Sequence, residues 1–472
     1  MTKHGIYATE RATSVAVPVV AESGLPFVIG AAPVQAAANP APVGVPVLVE
    51  SYADFVDKFG WSDDWDKYGL CEFAYSQFLL YGMAPIVICN LLDPATASTS
   101  VSAADKDVVD HKVELPAEAI DNSNLVVKAA GGAGSAYVKD TDYAVYYEDG
   151  KCIIELLSDG AAYSAESVNV AYKAVNASAI NASAVATGLE KIELCATTVG
   201  RVPDLIVAPG FSDDATVAAV MATKAASLNG VFKCKALIDL DCATATDFNA
   251  AISKKTSDSL VDDGEIVCWP KLTNGGKTFH FSTLLAGLIA QVDAANEGVP
   301  YETPSNKALK CDGMVTADGT VVNLTHAQAN TLNNAGIVTA LNFLGGWVAW
   351  GNYTACYPTN TDVKDCQIPV ARVFAWVRNT IVKTFWKKLD KPMNRRLVDS
   401  IVDDLSIWLN GLIGGGYLLG ARVEFTDDEN PAESLMAGIA KFHVYITPPS
   451  AAQELDFVIE YDVNYLAEAF GA

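Results

Sequence analysis

The strongest constraint in this sequence is a break in its periodicity. On both sides of a central block, short apolar runs alternate with stretches of helical spacing. Inside the block Val and Tyr recur at a period of two, and the helical spacing vanishes. From 26 to 94, Phe27-Val28-Ile29, 45–49 and 85–91 read as strands, and 52–59 and 68–80 as helices. From 204 the rhythm resumes, with strands at 205–208, 236–239 and 265–269 separated by helical stretches at 213–228 and 243–253. Parallel neighbours need a crossover long enough to hold a helix, so this succession predicts an α/β core around a mixed, mostly parallel sheet.

The block from 96 to 197 predicts an inserted all-β domain, with strands at 125–127, 143–147, 152–156 and 168–172 and turns at Gly131-Gly132, Asp149-Gly150 and Asp159-Gly160. Past 356, a helix at 372–389 ends before Lys391-Pro392, a second follows at 397–412, and two or three strands come after the glycines of 411–420. The map is therefore an arm at 1–20, a core of 21–95 with 198–355, an insert at 96–197, an α+β C-terminal domain at 356–454 and a linking strand at 455–472. Both ends are β-prone and too short for a core of their own. Strands of that kind can add to the sheet edge of another chain, and Ile6, Tyr7, Val15, Val17, Phe457, Val458, Ile459 and Tyr461 are the candidate pairing residues.

Half the residues are hydrophobic (51%), only 19% are charged and mean hydropathy is +0.21, which points to apolar surface covered by neighbouring molecules. No apolar run is long enough to cross about 30 Å of hydrocarbon. The first residues lack the basic and apolar regions of a secretory leader, so synthesis in a cytoplasm is expected. A net charge of −24 disfavours nucleic acid and anionic membrane as direct partners. Ten scattered cysteines, with no CxxC pair, read as buried free thiols.

Catalytic constellations are sparse. The five histidines, His4, His111, His280, His326 and His443, stand in no recognisable catalytic sequence, and there is no G-x-S-x-G elbow. His280 and His443 read as satisfied core or strand residues. Gly275-Gly276-Lys277-Thr278 resembles the end of a P-loop, but Lys271 occupies the place of its first glycine, which leaves a turn. Gly131-Gly132-Ala133-Gly134 lacks dinucleotide-loop spacing. Asp239 and Asp241 end a strand, where carboxylates cap helices or turns more often than they bind ligands. No catalytic, cofactor or metal site is assigned.

Several segments, in order, resemble the contractile tail sheath family of phages, tailocins and related injection systems: HGIY at 4–7, VIGAAPV at 28–34, LIVAPGF at 205–211, ALIDLD at 236–241, VPYETPSN at 299–306, LNNAGIV at 332–338, WGNYTACYP at 350–358, LDKPMNRR at 389–396 and FHVYITPP at 442–449. The resemblance covers the chain apart from the β insert. It implies a subtilisin-like α/β sheath domain, an insert on the outside of a helical tube, a C-terminal domain against an inner tail tube, terminal arms joining neighbours, and hexameric rings between baseplate and tail terminator. It also implies a virion location and no enzymatic activity. Tyr353 stands where many members carry Arg. A self-assembling surface-layer or adhesin protein, and an enzyme on a degenerate hydrolase-like core, are the competing classes.

One basic stretch stands out in an acidic chain. Arg372, Arg378, Lys383, Lys387, Lys388, Lys391, Arg395 and Arg396 are accompanied by a single acid, Asp390. On a helix, Arg372, Lys383 and Lys387 share a sector opposite Phe374, Val377, Ile381, Phe385 and Leu389. A solvated cationic face explains this, and so does a docking surface for acidic groups on the tail tube, with Arg372, Lys383, Lys387, Lys391, Arg395 and Arg396 as contact candidates. Direct nucleic-acid binding is the weakest reading, since Trp376 and Trp386 are the only interleaved tryptophans.

Overall fold

The computed structural model describes residues 18–148 and 150–471. The N-terminal pairing candidates Ile6, Tyr7, Val15 and Val17 lie outside the described residues.

The core is an eight-stranded sheet. From one edge to the other its strands are Trp347–Trp350, Ile337–Asn342, Glu265–Cys268, Lys235–Asp239, Leu205–Val207, Pro26–Gly30, Ile86–Asn90 and Val47–Val49. The six inner strands run parallel and both edge strands are antiparallel to their neighbours. Inner strands such as Pro26–Gly30, Ile86–Asn90 and Lys235–Asp239 are buried at every position, as expected where helices cover both faces. Sequence and structure agree closely here because each crossover is encoded locally. In Tyr52–Phe59, Ser51 caps the first turn by accepting from the Asp54 N–H, Phe55 and Phe59 stack one turn apart with centroids at 5.5 Å, and Gly60 ends the helix at φ 73°. The helix expected at 68–80 is an α-helix at Gly69–Ala74 that widens into a π-helix at Tyr75–Tyr81. There Ser76 and Gln77 both donate to the Thr283 carbonyl, at 3.3 Å, so the wider turn turns polar groups toward a partner inside the core.

The insert consists of two three-stranded antiparallel sheets. Ser98–Asp107, Ser167–Val175 and Val126–Ala129 form one; Lys112–Pro116, Lys151–Leu156 and Tyr143–Glu148 form the other. Their apolar faces share a cluster that includes Val113, Val127, Ile154 and Val170. Ser98–Asp107 is mostly exposed and nearly devoid of apolar residues, which is why its period does not announce a strand; pairing with Ser167–Val175 holds it. The insert's strands end at Val175, short of the expected 197. Residues 182–198 are helical and bury Val185, Leu189, Ile192 and Cys195 in the main core. Gly275-Gly276 is the two-residue turn between Lys271–Asn274 and Lys277–Phe279, with φ 57° and 79°, conformations that glycine adopts at no steric cost.

The C-terminal unit has its own cluster, built from Val373, Trp376, Val377, Leu405, Leu409 and Leu412. Its helices are Ile368–Phe385 and Arg395–Gly414, and its hairpin pairs Gly420–Glu424 with His443–Thr447. The first helix starts earlier than expected because Pro369 suits the opening turn, and it closes in a 3-10 turn at Trp386–Lys388. The strand expected at 455–463 is absent: residues 455–462 are exposed and form no ladder, and Val463–Phe470 is a helix. Alternation supplies a strand with faces but not with a neighbour, and among the described residues none pairs with it.

Candidate assembly surfaces

The helix Ile368–Phe385 is not a free cationic face. Arg372 is 3% exposed and holds two carboxylates. Its Nη1 donates to Asp293 Oδ1 at 2.9 Å and its Nη2 to Asp293 Oδ2 at 2.5 Å and to Asp204 Oδ2 at 2.9 Å. Asp204 also accepts the Gly24 and Leu25 N–H groups at 3.0 and 2.7 Å. Burial pushes Asp204 up to about 6; Arg372 opposes the rise and the Asp293 charge adds to it, since one guanidinium serves two acids. Lys383 is likewise engaged, 2.6 Å from Glu22. The segment around Glu22 runs along this helix, with Val19 N–H to Thr384 Oγ1 and Ala21 N–H to Thr380 Oγ1, both 3.0 Å, and Trp376 Nε1–H to the Ala21 carbonyl, also 3.0 Å. Arg372 and Lys383 therefore fail as contacts for another molecule: acids and backbone of their own chain occupy them. Asp204, Asp293 and Glu22, far away in sequence, are the partners that helical spacing could not reveal.

The remaining cations differ. Lys388 is tucked against Asp404 and Ser400, each at 2.7 Å. Arg395 pairs with Asp399 at 2.8 Å on an open helix face. Lys387, Lys391 and Arg396 are exposed, and among the described residues no acid pairs with them. On the other terminal segment, Phe457, Val458, Ile459 and Tyr461 are between 76% and 93% exposed, an apolar run left open to solvent.

The carboxyl end of the sheet carries the densest polar cluster. Asp239 accepts from Ser212 Oγ at 2.9 Å and from the Oγ and N–H of Ser282 at 2.5 and 2.8 Å. Glu72 accepts the His280 N–H and its Nδ1–H, both at 2.7 Å. Burial opposes a charge on His280, yet the Glu72 carboxylate raises its pKa above the ordinary value. The two acids thus cap the first turn of Phe281–Ala295, where a helix favours negative charge. Both serine hydroxyls face a carboxylate, and among the described residues neither is bonded to the imidazole, so the cluster lacks the serine–histidine link of a hydrolase. His443 is a half-buried strand residue stacked on Tyr445 with centroids at 4.1 Å. The ten cysteines are unpaired and nine are buried. No metal-holding group of His, Cys, Asp and Glu occurs among the described residues, and none of their helices is long and apolar enough to cross a membrane.

Lys255 explains part of the WGNYTACYP segment. Buried in helix Phe248–Ser257, it donates to the carbonyls of Ala335, Ala355 and Tyr357 at 2.7, 2.7 and 3.0 Å, and burial pushes its pKa down to about 8. Tyr353 stacks on Tyr357 with ring centroids at 3.9 Å.

No family model matches the chain. It is 26% identical to the tail sheath protein of Burkholderia phage BcepMu over an alignment covering 98% of this chain and 97% of that protein. Along nearly its whole length the chain is thus similar to a phage tail sheath protein. The tail sheath protein of Escherichia phage P2 is 25% identical over 60% of this chain and 69% of its own length. Among solved structures, the chain shares its fold with the contracted helical sheath of the anti-feeding prophage (TM-score 0.59, 17% identity, covering 98% and 100% of the two chains). It is equally similar to the contracted sheath complex of the extracellular contractile injection system PVC (TM-score 0.59, 17% identity, 98% and 99%).

Proposed function

We propose that the chain is the structural subunit of a contractile tail sheath, polymerising helically around an inner tail tube and contracting to drive that tube through a target cell envelope. The observation that carries this is the similarity to a phage tail sheath protein over 98% of the chain, insert and C-terminal unit included. On this reading the eight-stranded core is the subtilisin-like sheath layer, the insert decorates the outside, and baseplate and terminator bound a stack of hexameric rings. The exposed run around Phe457 to Tyr461 supports the idea that the C-terminal segment becomes ordered on a neighbour as an added strand. The tube contact narrows to Lys387, Arg395 and Arg396, with Lys391 beside them on a groove. Exposed pairs are worth on the order of 0 to 1 kcal/mol each, which suits a contact that repeats around a ring and must later release. Contraction is then a rigid-body repacking, with links between subunits that survive the rotation.

Negative-stain microscopy of the chain co-expressed with its tube protein tests the proposal. Hollow helical tubes of two widths are the expected result. Flat lattices would transfer the chain to the surface-layer class, and a uniformly monomeric product would refute polymerisation.

A further inference from the structure

The helices and hairpin of the C-terminal unit do not close on one another. Between them lies a groove of about 760 Å³ whose apolar lining includes Phe385, Leu389, Met393, Ile401, Ala440 and Phe442. Leu389 and Met393 are exposed at its mouth. Its charged lining is Lys388, Asp390 and Lys391, within a stretch, 387–396, that has five cations and one acid.

One segment of the chain has the opposite character. After Lys441 the sequence contains no Lys or Arg, and its last part carries Glu454, Asp456, Glu460, Asp462 and Glu468. Helix Val463–Phe470 sets Leu466 and Phe470 four residues apart, hence on one face, and both are exposed. Leu466 and Phe470 are not among the residues that line the groove of their own chain. An apolar face flanked only by acids complements, in polarity and charge, an apolar groove whose charged lining is two lysines and one aspartate, with Arg395 and Arg396 following in the same stretch.

We propose that the groove receives helix Val463–Phe470 of a second copy, with Leu466 and Phe470 inserted and Glu460, Asp462 and Glu468 beside the basic lip. The proposal deepens the assembly reading by naming which segment of one copy meets which surface of the next, and it rests on that reading only in requiring that copies meet.

A labelled peptide of residues 452–472 provides the test, titrated by fluorescence anisotropy into the full chain carrying Leu466→Asp and Phe470→Asp, whose own helix cannot compete. Saturable binding is expected, weakening as salt rises. It should fall at least tenfold when the receptor also carries Leu389→Glu and Met393→Glu, two exposed positions where circular dichroism should remain unchanged. Lys391→Glu, which leaves the apolar lining intact, should weaken binding several-fold. No binding, or binding indifferent to these receptor changes, overturns the proposal. So does the finding that the groove changes abolish co-assembly with the tube protein while peptide binding is unaltered, which would make the tube the occupant. Tube formation by the unmodified chain is scored separately in the microscope, so tubes with no peptide binding would reject the groove assignment and leave the sheath reading standing.

Discussion

Arg372 is the residue whose surroundings most change its meaning. A buried guanidinium holding two carboxylates contributes little net stability against an apolar alternative, but removing it leaves Asp293, at 1% exposure of its side chain, with an uncompensated charge. Arg372→Leu should therefore destabilise the chain by about 3 to 5 kcal/mol in urea unfolding. Adding Asp293→Asn should recover much of that loss. Burial, reinforced by the Asp262 charge, pushes Glu265 up to about 7 from an ordinary 4.5. The folded chain then binds this proton more tightly than the unfolded chain, so stability rises as pH falls from 7 toward 4.5 and is lost as pH climbs back through that window. Asp204, pushed up to about 6, acts in the same direction over the lower part of the range. Glu265→Gln should remove a pH-dependent contribution of about 3 kcal/mol, read as a flatter plot of the urea midpoint against pH between 5 and 7.

Among the elements, the packing of Phe281–Ala295 on Tyr75–Tyr81 hangs on a single missing side chain. Gly287 sits inside a helix, where Ala is intrinsically favoured by about 1 kcal/mol. A Cβ there would lie 2.3 Å from Cδ2 of Tyr81, whose hydroxyl accepts the Lys310 N–H at 3.2 Å. Overpacking of this kind typically costs about 1 to 3 kcal/mol, which outweighs the propensity gain. Gly287→Ala should lower the melting temperature, and the same change in a Tyr81→Ala background should be neutral or stabilising. The elements that sequence periodicity located well are those with local signals: Ser51 and Gly60 bracket one helix, and glycines turn the hairpins. Those it misplaced lacked such signals. Ser98–Asp107 has too few apolar residues to reveal its period, and the alternation of 455–463 specifies two faces without specifying a partner.

The whole molecule is organised around three apolar clusters, and the insert is joined to the core by two adjacent strands. Ser98 pairs with Val175, and the Asn176 N–H donates to the Ala97 carbonyl at 2.9 Å, so the ends of the insert meet. Few polar links cross from it to the core; Gln35 to the Ala117 carbonyl at 3.1 Å and Lys67 to Glu118 at 3.0 Å are two. Excising residues 98–175 and joining Ala97 to Asn176 through a two-residue linker should leave cooperative unfolding of the remainder and yield tubes of smaller outer diameter, measurable by negative stain. The alternation of strand and helix, the all-β insert, the buried thiols and the likeness to sheath proteins were legible along the chain, because each depends on neighbours a few residues away or on ordered motifs. Which cations face outward was not legible. Arg372 is neutralised by acids 79 and 168 residues earlier, and Lys383 by one 361 residues earlier. Helical spacing sorts side chains by direction, whereas burial and pairing follow from what the rest of the fold brings alongside. For the same reason the groove emerged only once two helices and a hairpin, separated in sequence, had packed against each other without filling the space between them.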